Sequence, residues 1–191
     1  ELFCKVNPIV VAPELVDTIR LRPEHVQGVD LLVIRENLGG IYQGQWGQSD
    51  NGHGPPTAHH RFQYTRPQVK QVLRVAATLA ARRRGGLTVV TKPAGMPTIS
   101  DLWRDVAQQE AQHAGVDLTV MEIDYAAYQL VQNPRQFDVL VTANMFGDIL
   151  SDIGGVLLGS RGLCFGGSFA TNGAAVFQTN HGAAFDLAGT D

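Results

Sequence analysis

The stretch Phe137-Asp-Val-Leu-Val-Thr142-Ala-Asn144-Met-Phe-Gly-Asp148-Ile-Leu-Ser-Asp152 reads as a strand running directly into an apolar helix. The helical half carries two aspartates, Asp148 and Asp152, four residues apart. On a helix that spacing puts both carboxylates on one face, one turn apart, where they repel each other. Beside Ile149, Leu150 and Ile153 a plain amphipathic helix has little reason to carry such a pair. A divalent cation converts the repulsion into chelation, because hard cations such as Mg²⁺ take carboxylate oxygens. Solvent exposure is the plainer alternative for both acids.

Outward from this segment the chain alternates between strand and helix patterns. Gly28 to Arg35 is a buried strand ending in a charge, followed by Gly39-Gly40-Ile41-Tyr42. Residues 44–57 read as an exposed arm or hairpin with a turn at Asp50-Asn51-Gly52, and Arg61 to Tyr64 as its returning strand. Thr65 offers an N-cap and Pro67 sits near the first helical turn; Val69, Val72, Leu73, Ala76 and Leu79 then keep helical spacing until Gly85-Gly86. Leu87 to Thr91 is a strand with Lys92 directly after it. Ser100 to Ala114 is a helix closed by Gly115, Leu118 to Asp124 a strand, and Ala126 to Gln132 a short helix. The alternation is an α/β signature, and Arg35, Lys92 and Asp124 fall at strand carboxyl ends, where such folds keep their chemistry.

Composition narrows the class. The 191 residues suit one domain or one and a half, and 44% hydrophobic with 17% charged residues is ordinary for a globular protein. A net charge of −3 leaves no footprint for nucleic acid. The one basic run, Arg82-Arg83-Arg84, closes a helical pattern, where cations favour the helix dipole. No apolar run approaches the ~18 residues of a membrane span. Cys4 and Cys164 form no metal or redox motif, so a reducing cytoplasm is the default localisation. The chain opens without Met and stops abruptly at Asp191, as an internal fragment of a longer protein would.

Three acids, Asp124, Asp148 and Asp152, sit on otherwise apolar elements. Lys92 alone would read as a solvated strand end; near three acids it becomes a group that supplies or accepts a proton. Arg35 matches a carboxylate bidentately and Tyr42 carries a phenol proton. His181-Gly182-Ala-Ala-Phe-Asp186 is a loop whose acid suits ribose hydroxyls, with an incidental aspartate as an equal alternative. His25, His53, His59, His60 and His113 lack ligand spacing with one another.

Taken together, Val33-Ile-Arg35-Glu-Asn-Leu-Gly-Gly-Ile-Tyr42, Thr91-Lys92, Glu122-Ile-Asp124, Phe146-Gly-Asp148-Ile-Leu-Ser-Asp152 and His181 to Gly189 resemble the metal-dependent β-decarboxylating dehydrogenases, the isopropylmalate and isocitrate dehydrogenase family. The order is kept from Glu1 to Asp191, and the Gly-Gly-Ile-Tyr ending is more similar to the 3-isopropylmalate branch. The resemblance implies an isopropylmalate dehydrogenase-like α/β fold, with residues 1–157 mostly the small central domain. Its intersubunit arm would lie at about 45–62, and residues 158–191 would be part of the large, NAD-binding domain. It implies oxidative decarboxylation of a 2-hydroxy dicarboxylate with NAD and Mg²⁺ or Mn²⁺, in a homodimer with shared active sites. Arg35 would bind substrate and Tyr42 would protonate the product. Lys92 and Asp124 would come from the partner subunit, Lys92 assisting hydroxyl deprotonation. Asp124, Asp148 and Asp152 would hold the metal, and His181, Gly182 and Asp186 the cofactor. Asn7 departs from the family's Leu-Arg-Pro arginine and Pro93-Ala94 from its small residue and Asn. These departures leave room for a paralogue acting on isocitrate, tartrate or another malate-type acid, or for a non-catalytic regulatory subunit.

Overall fold

The computed structural model describes residues 1–49, 55–180 and 189. Its strands are β1 (Leu2–Val10), β2 (Asp30–Glu36), β3 (Gln45–Ser49), β4 (Thr57–Arg61), β5 (Gly86–Thr91), β6 (Asp117–Glu122), β7 (Val139–Thr142), β8 (Phe165–Ala170) and β9 (Ala175–Thr179). Its helices are α1 (Pro23–Val26), α2 (Arg66–Ala81), α3 (Pro97–Ala114), α4 (Ile123–Gln132) and α5 (Asn144–Leu157). Seven strands form one sheet in the order β6-β5-β7-β2-β1-β8-β9, so residues on both sides of Leu157 share it. β6, β5, β7 and β2 run parallel, which brings their carboxyl ends to one edge. β1, β8 and β9 complete the sheet with antiparallel pairings.

Each face of the sheet is covered. On one, α2 and α3 bury Val69, Leu73, Trp103 and Val106 against Ile34, Val89 and Val141. On the other, α4 and α5 bury Leu130, Leu150 and Leu157 against Leu31, Val33 and Leu140. The four residues of β7 are all buried, as expected of a central parallel strand covered on both faces. α2 begins where its cap chemistry dictates. Thr65 and Gln68 form a reciprocal capping box, and Pro67 occupies a position that needs no intrahelical N–H donor. α3 starts three residues earlier than the apolar spacing predicts, because Pro97 is likewise suited to a first turn, and it ends at Gly115 with φ +67°.

Other expectations shift at element boundaries. β6 stops at Glu122, so Asp124 lies in the first turn of α4 rather than at the end of a strand. The arm is a two-stranded ribbon pairing Gln45 with Arg61 and Ser49 with Thr57, so its return strand precedes the expected Arg61 to Tyr64. The proposed turn at Asp50-Asn51-Gly52 lies outside the described residues. The basic run does more than complement a helix end. Arg83 bonds Asp138 and Asp30 at 2.7 Å each, and Arg84 bonds the Asp30 and Phe137 carbonyls. Among the described residues, no helix is long and apolar enough to cross a membrane.

Candidate active site

The carboxyl edge of the parallel strands carries two clusters of charge. The first is built on the end of β2 and the first half of α5. Gly147 lets the helix rest directly on β2: a Cβ there would stand 2.7 Å from the Cβ of Arg35 and 3.1 Å from its Cα. That contact sets Asp148, one residue on, over the Arg35 guanidinium, and the two form an ion pair. Arg35 Nε also donates to Asn144 Oδ1 at 2.8 Å, so its head is held from two sides.

Tyr42 joins from the glycine bend. Its hydroxyl donates to Asp148 Oδ2 at 2.9 Å, and its ring lies 5.6 Å from the Arg35 guanidinium carbon. Burial, and then the hydrogen bond to Asp148, raises the Tyr42 pKa, which keeps the phenol protonated at neutral pH. Asp152 follows one turn along α5 and accepts from Arg161 Nη2 at 3.0 Å. The expected repulsion between Asp148 and Asp152 is therefore offset by an arginine on each.

A network of buried hydrogen bonds holds the bend that carries Tyr42. Glu36, 1% exposed, accepts from the N–H groups of Leu38 at 2.7 Å and Gly39 at 3.0 Å. Tyr64 bonds the same carboxylate and accepts from the Asn144 N–H at 3.1 Å. Asn144 Nδ2 donates to the Gly39 carbonyl at 3.0 Å and closes the loop. Gly39 must be a glycine, since a Cβ there would stand 2.8 Å from Tyr64 Cε1, and Gly40 has φ +78°. Glu36, Tyr64 and Asn144 were not among the residues expected at this site. Their pairings join positions up to 105 apart in the chain, which local spacing does not reveal.

The second cluster lies beyond β7. Lys92 follows β5, where its N–H bonds Ser100 Oγ at 3.2 Å and its carbonyl accepts from the Met96 N–H at 2.8 Å. Its Nζ donates to Asp124 Oδ1 at 2.8 Å and Glu122 Oε2 at 3.0 Å. These bonds raise the lysine pKa, Asp124 first, while the lysine lowers that of Asp124. Arg35, Tyr42, Asp148 and Asp152 thus gather in one cluster and Lys92 with Asp124 in another. Among the described residues, no group of three or more His, Cys, Asp or Glu side chains converges as a metal site within the single chain. His181, Gly182 and Asp186, the expected cofactor residues, lie outside the described residues.

A family model described as isocitrate/isopropylmalate dehydrogenase matches residues 1–191. The chain belongs to this family. Among family members, the 3-isopropylmalate dehydrogenase of Prochlorococcus marinus strain MIT 9313 is 43% identical over 192 residues, spanning 100% of this chain and 54% of that protein. That of Thermosynechococcus vestitus is 42% identical, with 53% of its length covered. The crystal structure of isocitrate dehydrogenase from Methylococcus capsulatus superposes with a TM-score of 0.84 at 29% identity, over 97% of this chain and 53% of that one. The TT0538 protein of Thermus thermophilus superposes at 0.86 with 30% identity, over 98% of this chain and 36% of that one. The chain spans about half the length of the curated relatives it matches.

Proposed function

We propose that the whole protein catalyses NAD- and Mg²⁺- or Mn²⁺-dependent oxidative decarboxylation of a 2-hydroxy dicarboxylate of the 3-isopropylmalate type. The observation that carries this reading is the Arg35–Asp148–Tyr42 cluster. A guanidinium suited to a carboxylate, an acid suited to a hard cation and a protonated phenol lie within bonding distance of one another, which supports the reading. In net terms the hydroxy acid and NAD⁺ give a 2-oxo acid, CO₂ and NADH.

The donor set suits a hard cation. Asp148 and Asp152 present half-exposed carboxylates one turn apart on α5, and their side chains are 47% and 52% accessible. Two acids from one chain do not fill a six-coordinate shell, and Asp124 from a second copy would add a third. When bound, the cation supplies Lewis acidity to the hydroxyl and carboxylate oxygens of the substrate. Arg35 orients one substrate carboxylate by its guanidinium. Lys92 of the second subunit would assist deprotonation of the substrate hydroxyl. Tyr42 then gives its proton to the carbon left by CO₂. Asp186 fits the free ribose hydroxyls of NAD and would repel a 2′-phosphate.

NADH formation by full-length protein, assayed with Mg²⁺ against a panel of 2-hydroxy diacids, tests the reading. Asp148→Asn should lower Mg²⁺-dependent turnover by a hundredfold or more, about 2.7 kcal/mol of transition-state stabilisation. Absence of turnover on every diacid would refute the proposal and leave the regulatory-subunit alternative.

A further inference from the structure

Lys5 is a charged residue on a central strand, and neither the cluster above nor the fold accounts for it. In β1 it lies directly opposite Arg35 of β2 on one side and Ser168 of β8 on the other. Directly opposite residues of antiparallel strands share a face of the sheet. Two like charges so placed oppose each other and need a counter-charge. The face is the one covered by α5, since Ile9, two pleats along β1, packs against Gly154 and Arg35 against Gly147.

The surroundings of Lys5 are charged and partly closed. Its half-buried ammonium stem feels Arg35 as a like charge and Asp148 and Asp152 as opposite ones; burial and Arg35 together lower its pKa. Asp148 and Asp152 are bonded to Arg35 and Arg161. Among the described residues no carboxylate lies within ion-pair distance of Lys5. The count at this end of α5 is thus three cations (Lys5, Arg35, Arg161) against two acids (Asp148, Asp152). Lys5 and Asn7 pack directly over Gly166, where a Cβ would stand 3.1 Å from Lys5 Cε and would collide with Asn7 Oδ1. Asn7 is itself 1% exposed, and its Oδ1 has no hydrogen-bond partner among the described residues. A cation without an ion-pair partner and a buried acceptor, both packed against Gly166, therefore adjoin Arg35 on this face of the sheet.

We infer that Lys5 is a second carboxylate-binding residue of the substrate site, holding the carboxylate of the diacid that Arg35 does not hold and thereby setting the preference for a dianion. The inference rests on the diacid reading above. A substrate carboxylate takes the place of the missing counter-charge. Lys5 differs in kind from an arginine here. It is a compact point charge on a flexible stem, tolerant of diacids whose second carboxylate varies in position.

Full-length Lys5→Met, with Lys5→Arg beside it, tests the assignment. In Lys5→Met, KM for the diacid should rise about ten- to a hundredfold, the range for losing one charge-assisted hydrogen bond. The effect should fall on KM rather than kcat, and KM for NAD should be unmoved. Lys5→Arg should stay within about threefold of the parent. Competitive inhibition supplies a readout that a purely packing role would not move: a dicarboxylate should weaken tenfold or more while a monocarboxylate is unaffected. Calorimetric binding of malate reports on Lys5 even without turnover. Malate binding lost in Lys5→Met, in a protein that turns over no diacid, would sink the decarboxylase reading and keep this one. Unchanged diacid KM and malate affinity in Lys5→Met, an equal loss for mono- and dicarboxylates, or no malate binding by the parent protein would overturn it.

Discussion

Glu36 shows how a buried acid can serve the site without touching it. It neighbours Arg35 in sequence, yet its carboxylate turns to the Leu38 and Gly39 N–H groups and the Tyr64 hydroxyl, fixing the bend that launches Tyr42. Burial is the largest influence on its pKa and raises it above 4.5; the backbone donors pull the other way without prevailing. The sign of the pH effect follows. Below pH 4.5 the folded and unfolded chains both hold the proton and nothing is lost. As pH rises from there through the raised folded value, the unfolded chain ionises first, and the native state loses stability. Glu36→Gln has no such titration. The melting temperature of the parent relative to Glu36→Gln should therefore decline as pH rises from 4.5 towards neutrality. A difference that grows over the same range would mean that the charged carboxylate is favoured in place, contrary to the burial argument.

At the scale of elements, the clamp between α2 and the sheet is the most exacting contact. Arg83 spans Asp30 at the start of β2 and Asp138 just before β7, and Asp138 is 4% exposed. The same carboxylate accepts from the backbone N–H groups of Arg84 and Gly86. Arg83→Met keeps the stem but leaves a buried carboxylate without its charged partner, at a cost on the order of 3 kcal/mol. For a domain of this size that is roughly a 6–12 °C fall in melting temperature. A calorimetric shift under about 1 °C would show that the backbone donors suffice. Nothing in the local spacing of Arg82-Arg83-Arg84 distinguishes this clamp from a solvated helix end, because its partners lie more than a helix and a strand away in the chain. The same limit explains which strands were legible. β2, β5 and β7 are apolar runs buried from both faces, and helices α2 to α5 carry caps or apolar stripes. β8 opens Phe165-Gly-Gly and reads as a loop; only pairing with β1 makes it a strand. β4 is exposed at all five positions, so no hydrophobic alternation marks it, whereas Phe62 and Tyr64 alternate convincingly just beyond its end.

For the whole molecule, the division of charge along the strand edge is the decisive property. In the proposed reaction Arg35, Tyr42, Asp148 and Asp152 would bind and protonate, but Lys92, which would assist deprotonation, is bonded to Asp124 and Glu122 beyond β7. The acids and the lysine could be picked out from the sequence as residue types. Their separation into two clusters is not legible in local spacing, because it depends on β7 inserting between β5 and β2; only the family resemblance, which assigns Lys92 and Asp124 to a partner subunit, implied it. A two-fold dimer in which each copy lends its Lys92–Asp124 pair to the other's Arg35–Asp148 cluster would complete two identical sites. That arrangement has a numerical consequence. In such a dimer Asp148→Asn and Lys92→Met subunits should each be inactive alone, but a mixed dimer of the two would have one site with both defects and one with neither. Random assembly makes about half the dimers mixed, so co-refolded equal amounts should recover about a quarter of the parent activity. If each chain instead supplied its own lysine, every site in the mixture would carry one defect and none would recover. Recovered activity near zero, with mixed dimers demonstrated by mass spectrometry, would rule out the shared site.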